Sequence, residues 1–151
     1  MPRLDATRVG AWRDLQSITV EITRRVDEDL RNEWAVPLGW FDVLATLRQL
    51  DGRARPQDVA AAMRIPASSL SRRLDRLEEE GWVRRHRRLE PDGRAVEVEL
   101  TKRGRALWRE MNVSYRRALQ ARFASMLDDD QIEAVVGVNT LLDDSLTDPD
   151  S

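Results

Sequence analysis

The apolar residues of this chain change their spacing once and then change it back. Over 7–32, Val9, Trp12, Leu15, Ile18, Ile22, Val26 and Leu30 recur in steps of three and four, the period of a helix. The same period returns over 39–50 with Trp40, Val43, Leu44, Leu47 and Leu50. Between 94 and 100 it gives way to strict alternation, with Val96, Val98 and Leu100 separated by Glu97 and Glu99. Helical spacing then resumes through Leu107, Met111, Tyr115, Ala118 and Leu119, and again through Ile132, Val135, Val136, Leu141 and Leu142. A chain of 151 residues with this pattern is predicted to be one mainly α domain around a small two- or three-stranded sheet.

Punctuation sharpens the middle of the pattern. Pro37 disfavours helix at Val36, Asp51-Gly52-Arg53 signals a turn, and Pro56 suits the first turn of a short third helix that stops before Ile65-Pro66. A fourth helix is predicted over 67–80, with Gly81 as its C-terminal stop. Two short helices with a tight turn between them resemble a helix-turn-helix. Strands are predicted over 82–88 and 94–100, joined by a loop at Leu89–Gly93. Asp128 and Gln131 form a capping box that opens the last helix.

Helix 67–80 divides into two faces. Leu70, Leu74 and Leu77 share the side that must be buried, while Ser68, Ser69, Arg72 and Arg76 share the opposite side and Arg73 lies at the edge. Hydroxyls at a helix start and arginines one turn later suit a helix that enters the DNA major groove, where arginine reads guanine through two hydrogen bonds. Taken alone, the same face reads equally well as a solvated surface. The following segment, RRHRRLEPDGR, adds Arg84, Arg85, His86, Arg87 and Arg88 before the Pro-Asp-Gly turn and Arg94 after it. Residues 53–105 carry a net charge of +5 in a chain whose total is −2, so a polyanion would meet the middle of the molecule.

The stretch SSLSRRLDRLEEEGWVRR followed by PDGRAVEVELTKRG resembles the winged-helix core of the MarR family of bacterial regulators. The family pattern of Asp-x-Arg running into Leu-Thr-x-x-Gly falls here on Asp92, Arg94, Leu100, Thr101 and Gly104. The resemblance implies a winged helix-turn-helix lobe over 38–104, set between dimerisation helices over 5–34 and 105–147. It implies a homodimer on a palindromic operator of double-stranded DNA, most often a repressor released by a small ligand. On that pattern the DNA-contacting residues are Ser68, Ser69, Ser71, Arg72, Arg73 and Arg76 on recognition helix 67–80, and Arg87, Arg88 and Arg94 on the wing at 84–100. Asp92 and Gly93 would position the wing tip. Glu90 near the tip and Arg84, where an acidic residue is common, depart from the pattern.

Two further expectations concern ligands and pairing. Five Trp against one Tyr and two Phe point to an aromatic or anionic effector, with Trp12 and Trp40 as candidate contacts, although both also read as core or dimer residues. Helices 7–32 and 128–146 carry more apolar surface than one small domain needs, which predicts pairing with a second copy. With no Cys and one His, no thiolate chemistry, metal centre or cofactor is expected, and no nucleophile–base pair marks an enzyme. The opening MPRLDATRVG lacks the apolar run of a signal peptide and no segment has the length of a membrane span, so the expected location is cytoplasmic. A winged helix that binds protein rather than DNA is the rival reading, and it would suit the overall acidity.

Overall fold

A computed structural model describes the backbone of residues 1–90 and 93–147, and the side chains of these residues except 88–95. The elements run α1 (Ala6–Trp34), α2 (Leu38–Gln49), β1 (Arg53–Ala54), α3 (Pro56–Met63), α4 (Ala67–Glu79), β2 (Val83–Glu90), β3 (Gly93–Leu100), α5 (Lys102–Arg122), a single 3-10 turn (Ala124–Met126) and α6 (Asp129–Thr147). The protein is thus mainly helical with a small three-stranded antiparallel sheet, ordered β1-β3-β2. The third strand is the part the sequence left open. Asp51 (φ 62°) and Gly52 (φ 84°) both turn left-handed, which brings Arg53 and Ala54 against Glu99 and Val98. Among the described residues no helix is long and apolar enough to cross a membrane.

Two buried clusters hold the chain together. In the first, Leu44 and Leu47 of α2, Val59 of α3 and the Leu70, Leu74 and Leu77 stripe of α4 pack on Val83, Val98 and Leu100 of the sheet. In the second, Val26 and Leu30 of α1 meet Phe41 of α2 and Met111 and Ala118 of α5. Trp40 and Trp82, edge to face at 6.3 Å, touch both clusters and so weld them. Polar ties fix the angle between the long helices. Trp34 Nε1 donates to the buried Ser114 Oγ at 2.9 Å, and Arg122 grips Asp29 through two 2.9 Å hydrogen bonds. The amide of Leu38 donates to Asp27, which docks the start of α2 on α1.

The helix termini follow from local chemistry. Asp5 caps α1 by accepting from the Arg8 amide, and Ala35 closes it in the left-handed region before Pro37. At α6, the predicted box forms in both directions: Gln131 N–H to Asp128 Oδ1 at 2.8 Å, and Asp128 N–H to Gln131 Oε1 at 3.0 Å. Thr101 caps α5 by accepting from Gly104 N–H and donates its own hydroxyl to the Gly81 carbonyl. Gly104 has no room for a side chain, since a Cβ there would lie 2.0 Å from the Trp82 carbonyl oxygen.

The terminal helices leave apolar surface uncovered within the chain. Of the α1 stripe only Val26 and Leu30 are buried; Trp12, Leu15 and Ile18 are about half exposed or more. Helix α6 buries no residue at all, although Val136, Leu141, Leu142 and Leu146 are large and apolar. It reaches back to the lobe through an Arg64–Asp143 ion pair.

Candidate nucleic-acid interface

Helix α4 presents the face that its sequence predicts. Leu70, Leu74 and Leu77 are at most 1% exposed, while Ser68, Ser71, Arg72 and Arg76 lie on the outside and Ser69 is half-buried. The N-cap is Pro66, which offers no side-chain acceptor; the Ser69 amide donates to the Pro66 carbonyl at 3.1 Å, and the Ala67 and Ser68 N–H groups stay available to an anion. Arg72 has no hydrogen bond or ion pair among the described residues. Arg76 makes one loose, exposed pair with Glu79 at 3.3 Å, which holds it only weakly.

Arg73 is placed differently from its neighbours. Its side chain is half-buried and turns toward α2, where Nη1 donates to the Gly39 carbonyl at 3.2 Å. The guanidinium lies so close to Gly39 that a Cβ there would sit 3.1 Å from Arg73 Cζ. In this arrangement Arg73 joins α4 to the start of α2.

The basic strand β2 also splits by face. Arg85 and Arg87 share the face of Val83, while Arg84 lies with His86 on the opposite face; Arg84 and Arg87 are exposed and have no hydrogen bond or ion pair among the described residues. Arg85 is committed to α4: its amide donates to Glu78 at 2.9 Å, Nη1 pairs with Asp75 at 2.7 Å, and Nη2 donates to the Ser71 carbonyl at 3.2 Å. The acidic run at the end of α4 is unfavourable for the helix dipole. Glu78 offsets this by satisfying the β2 backbone. Arg85 and Glu78 escaped the sequence reading, although strand parity marks Arg85: it shares its face with Val83 and lies opposite Val98.

On the other face of the sheet, Arg53 bridges Glu97 (2.6 Å) and Glu99 (3.2 Å), and His86 Nε2 lies 3.4 Å from Glu99. The backbone register runs to the end of the hairpin, pairing Arg88 with Ala95 and Glu90 with Gly93. The side chains of Arg88 and Arg94 lie outside the described residues, as does Asp92 altogether. Gly93 is described only as the first residue of β3.

The two tryptophans singled out for an effector sit in different settings. Trp12 is 60% exposed on α1, and Trp40 packs on Trp82. Neither lines the cleft of about 390 Å³ that opens between α2, α5 and the end of α3, which is lined by Phe41, Asp42, Arg48, Met63, Trp108 and Tyr115 among others. Burial pushes the Asp42 carboxyl up to about 6, with the Arg73 charge acting in the opposite direction. Burial and the Asp42 charge both raise the Tyr115 phenol above its ordinary value. Sequence spacing gave no sign of this carboxylate, because α3 and α5 close over it only in the folded chain.

Known proteins share this arrangement. A model described as the MarR family matches residues 36–95. The chain is 35% identical over 108 residues to the HTH-type transcriptional regulator PecS of Dickeya dadantii; the match covers 70% of this chain and 64% of that protein, just under two thirds of its length. It superposes on Sco3205, a MarR family transcriptional regulator from Streptomyces coelicolor solved in complex with DNA, with a TM-score of 0.85 at 23% identity, covering 100% of this chain and 95% of that one. It superposes as well on the organohalide-sensing regulator RdhR in its 2,4-dichlorophenol-bound form, with a TM-score of 0.80 at 18% identity and coverages of 99% and 90%. At those identities the two superpositions speak for the fold. The family model and the sequence match to PecS place residues 36–95, the helix-turn-helix and first part of the wing, in the MarR family, and the superpositions show that the chain shares the fold of such regulators.

Proposed function

We propose that this protein is a sequence-specific DNA-binding transcriptional regulator that acts as a homodimer on a palindromic operator. The observation that carries the reading is the shared outward face of α4 and β2. Arg72, Ser68 and Ser71 are exposed on the helix, Arg87 is exposed on the strand face that Arg85 shares, and Arg85 locks the two elements together. Arg72 reads base edges and the strand arginines meet phosphate or the minor groove. Arg73 positions α4 instead of reaching the duplex, and Arg88 and Arg94 extend the basic ribbon. Residues 38–104 form the DNA-binding lobe, and 5–34 with 105–147 form the pairing region. The regulators named above support the reading: PecS is a transcriptional regulator by name, and Sco3205 was solved with DNA.

Pairing follows from the exposed apolar surface of α1 and α6, which water disfavours and a second copy would cover. A two-fold pair sets its recognition helices roughly 34 Å apart, one turn of DNA. The protein represses until an aromatic or anionic effector enters. The Asp42 cleft suits the aromatic kind, since its carboxylate accepts a phenolic hydroxyl and Arg73 connects it to α4. Trp40, packed on Trp82, does not line that cleft, and Trp12 contributes only where a second copy covers α1. A cytoplasmic location goes with this role.

Fluorescence anisotropy with duplexes from the DNA flanking the coding region tests the function. The expected result is tight binding to an inverted repeat that weakens steeply as salt rises. Salt-insensitive binding, or none to any duplex, would favour a protein-binding winged helix. Light scattering at micromolar concentration tests the pairing, and a 17.4 kDa monomer would refute it.

A further inference from the structure

We infer a second small-molecule site on the face of the lobe formed by the end of α2 and the start of α5, built to hold a compact anion bearing several carboxylate or phosphate groups. A cavity of about 380 Å³ lies there, within the ~300–1,000 Å³ typical of small-ligand sites. Three guanidinium groups line it, from Arg48, Arg105 and Arg109, against one carboxylate, Asp51. None of these four residues forms an ion pair among the described residues. Elsewhere the chain pairs its arginines freely, as Arg24, Arg53, Arg85 and Arg122 show.

Two of the three cations are also held in place. Arg48 stacks its guanidinium over the Trp108 ring at 4.7 Å from the centroid. Arg105 Nη2 donates to the Leu100 carbonyl at 3.3 Å, and the left-handed Asp51-Gly52 turn leaves room for its guanidinium, which a Cβ on Gly52 would approach to 3.8 Å. One of the five N–H donors of Arg105 is thereby spent and the others remain. Arg109 follows Arg105 by four residues, one helical turn along α5. Trp108 lines the same cavity, and its indole N–H is buried without a hydrogen-bond partner among the described residues.

This site is separate from the Asp42 cleft in chemistry. The two cavities share Arg48 and Trp108 as a common wall. On one side of that wall stands the half-buried Asp42 carboxyl, which repels anions when ionised, and on the other two further arginines that attract them. The inference concerns residues that take no part in the proposed DNA face.

The experiment is calorimetric titration of the full-length protein with citrate and with inorganic pyrophosphate at constant ionic strength, with intrinsic fluorescence followed in parallel. The expected result is saturable binding with a dissociation constant in the millimolar range or below, and a fluorescence change that Trp108→Phe removes. Arg105→Gln/Arg109→Gln should weaken binding at least tenfold with an unaltered far-UV spectrum. The single Arg109→Gln variant, at an exposed position, should weaken it severalfold and serves if the double variant does not fold. A non-saturating response, or equal affinity in wild type and variants, would overturn the inference. Displacement of the bound anion by saturating duplex DNA would overturn it too, because the cluster would then be a phosphate-backbone contact. Failure of these titrations would leave DNA binding through α4 and β2 untouched.

Discussion

Asp42 offers the sharpest quantitative test of the packing beside α4. Its carboxyl is pushed from 3.8 to about 6 by burial, so the folded chain disfavours the ionised form. A raised acid pKa means that the folded protein holds this proton more tightly than the unfolded chain does. Stability from this group therefore rises as pH falls through 6 toward 3.8, and is lost as pH rises through 6. Two units at about 1.4 kcal/mol each give about 3 kcal/mol as the upper bound for the penalty at pH 7.5. The side chain is only half-buried, and screening by water reduces that to about 1–2 kcal/mol. Asp42→Asn keeps the shape and removes the titration. In urea unfolding at fixed protein concentration and ionic strength, the variant should be about 1–2 kcal/mol more stable than wild type at pH 7.5. The gap should shrink to roughly half by pH 5, where wild type is mostly protonated in the fold. A variant that is no more stable at pH 7.5, or a gap that is the same at both pH values, would refute the reasoning.

Other substitutions separate reading, bracing and packing. Arg72→Ala should cost ~1–3 kcal/mol on the operator and little on scrambled duplex, as measured by anisotropy; equal losses on both would mean that α4 reads no sequence. Arg87→Ala should weaken all duplexes by a similar factor and lower the salt slope by about one, and an unchanged slope would remove Arg87 from the phosphate contacts. Arg85→Ala should speed amide exchange along β2 and reduce operator affinity without loss of a base contact, because its Asp75 and Ser71 ties disappear; unaltered exchange would show that the hairpin is held by other means. Gly104→Ala should destabilise by about 1–3 kcal/mol or more in urea, since the Trp82 carbonyl 2.0 Å from the new Cβ must move by over an ångström.

The elements were legible from the sequence because their signals are local. The Leu70-Leu74-Leu77 stripe, the Val96-Val98-Leu100 alternation and the Asp128–Gln131 box each depend on near neighbours, and each stands in the structure. What stayed hidden depends on partners distant in sequence. Arg73 reads as a surface arginine until Gly39 arrives beside it, and Asp42 reads as a solvated acid until α5 and Arg73 surround it. Arg85 looks like one more wing cation, yet it is spent on Asp75 and Ser71. The stripe on α1 was legible as apolar surface in excess of what one chain buries, and Trp12, Leu15 and Ile18 are exposed. Its period is helical, but periodicity cannot tell a face buried by the same chain from one that a second copy would cover.

The ties between α4 and β2 have a mechanical consequence. Three contacts from Arg85 to Glu78, Asp75 and Ser71 remove the freedom of the strand to swing independently of the helix. From Arg85 the strand runs five residues further to Glu90, about 17 Å at ~3.3 Å per residue. A 5° tilt of α4 therefore sweeps the far end of β2 through about 1.5 Å, half the length of a hydrogen bond. Angular play too small to unseat the helix by itself is multiplied at the other end of the lever, where the basic strand would leave the DNA first.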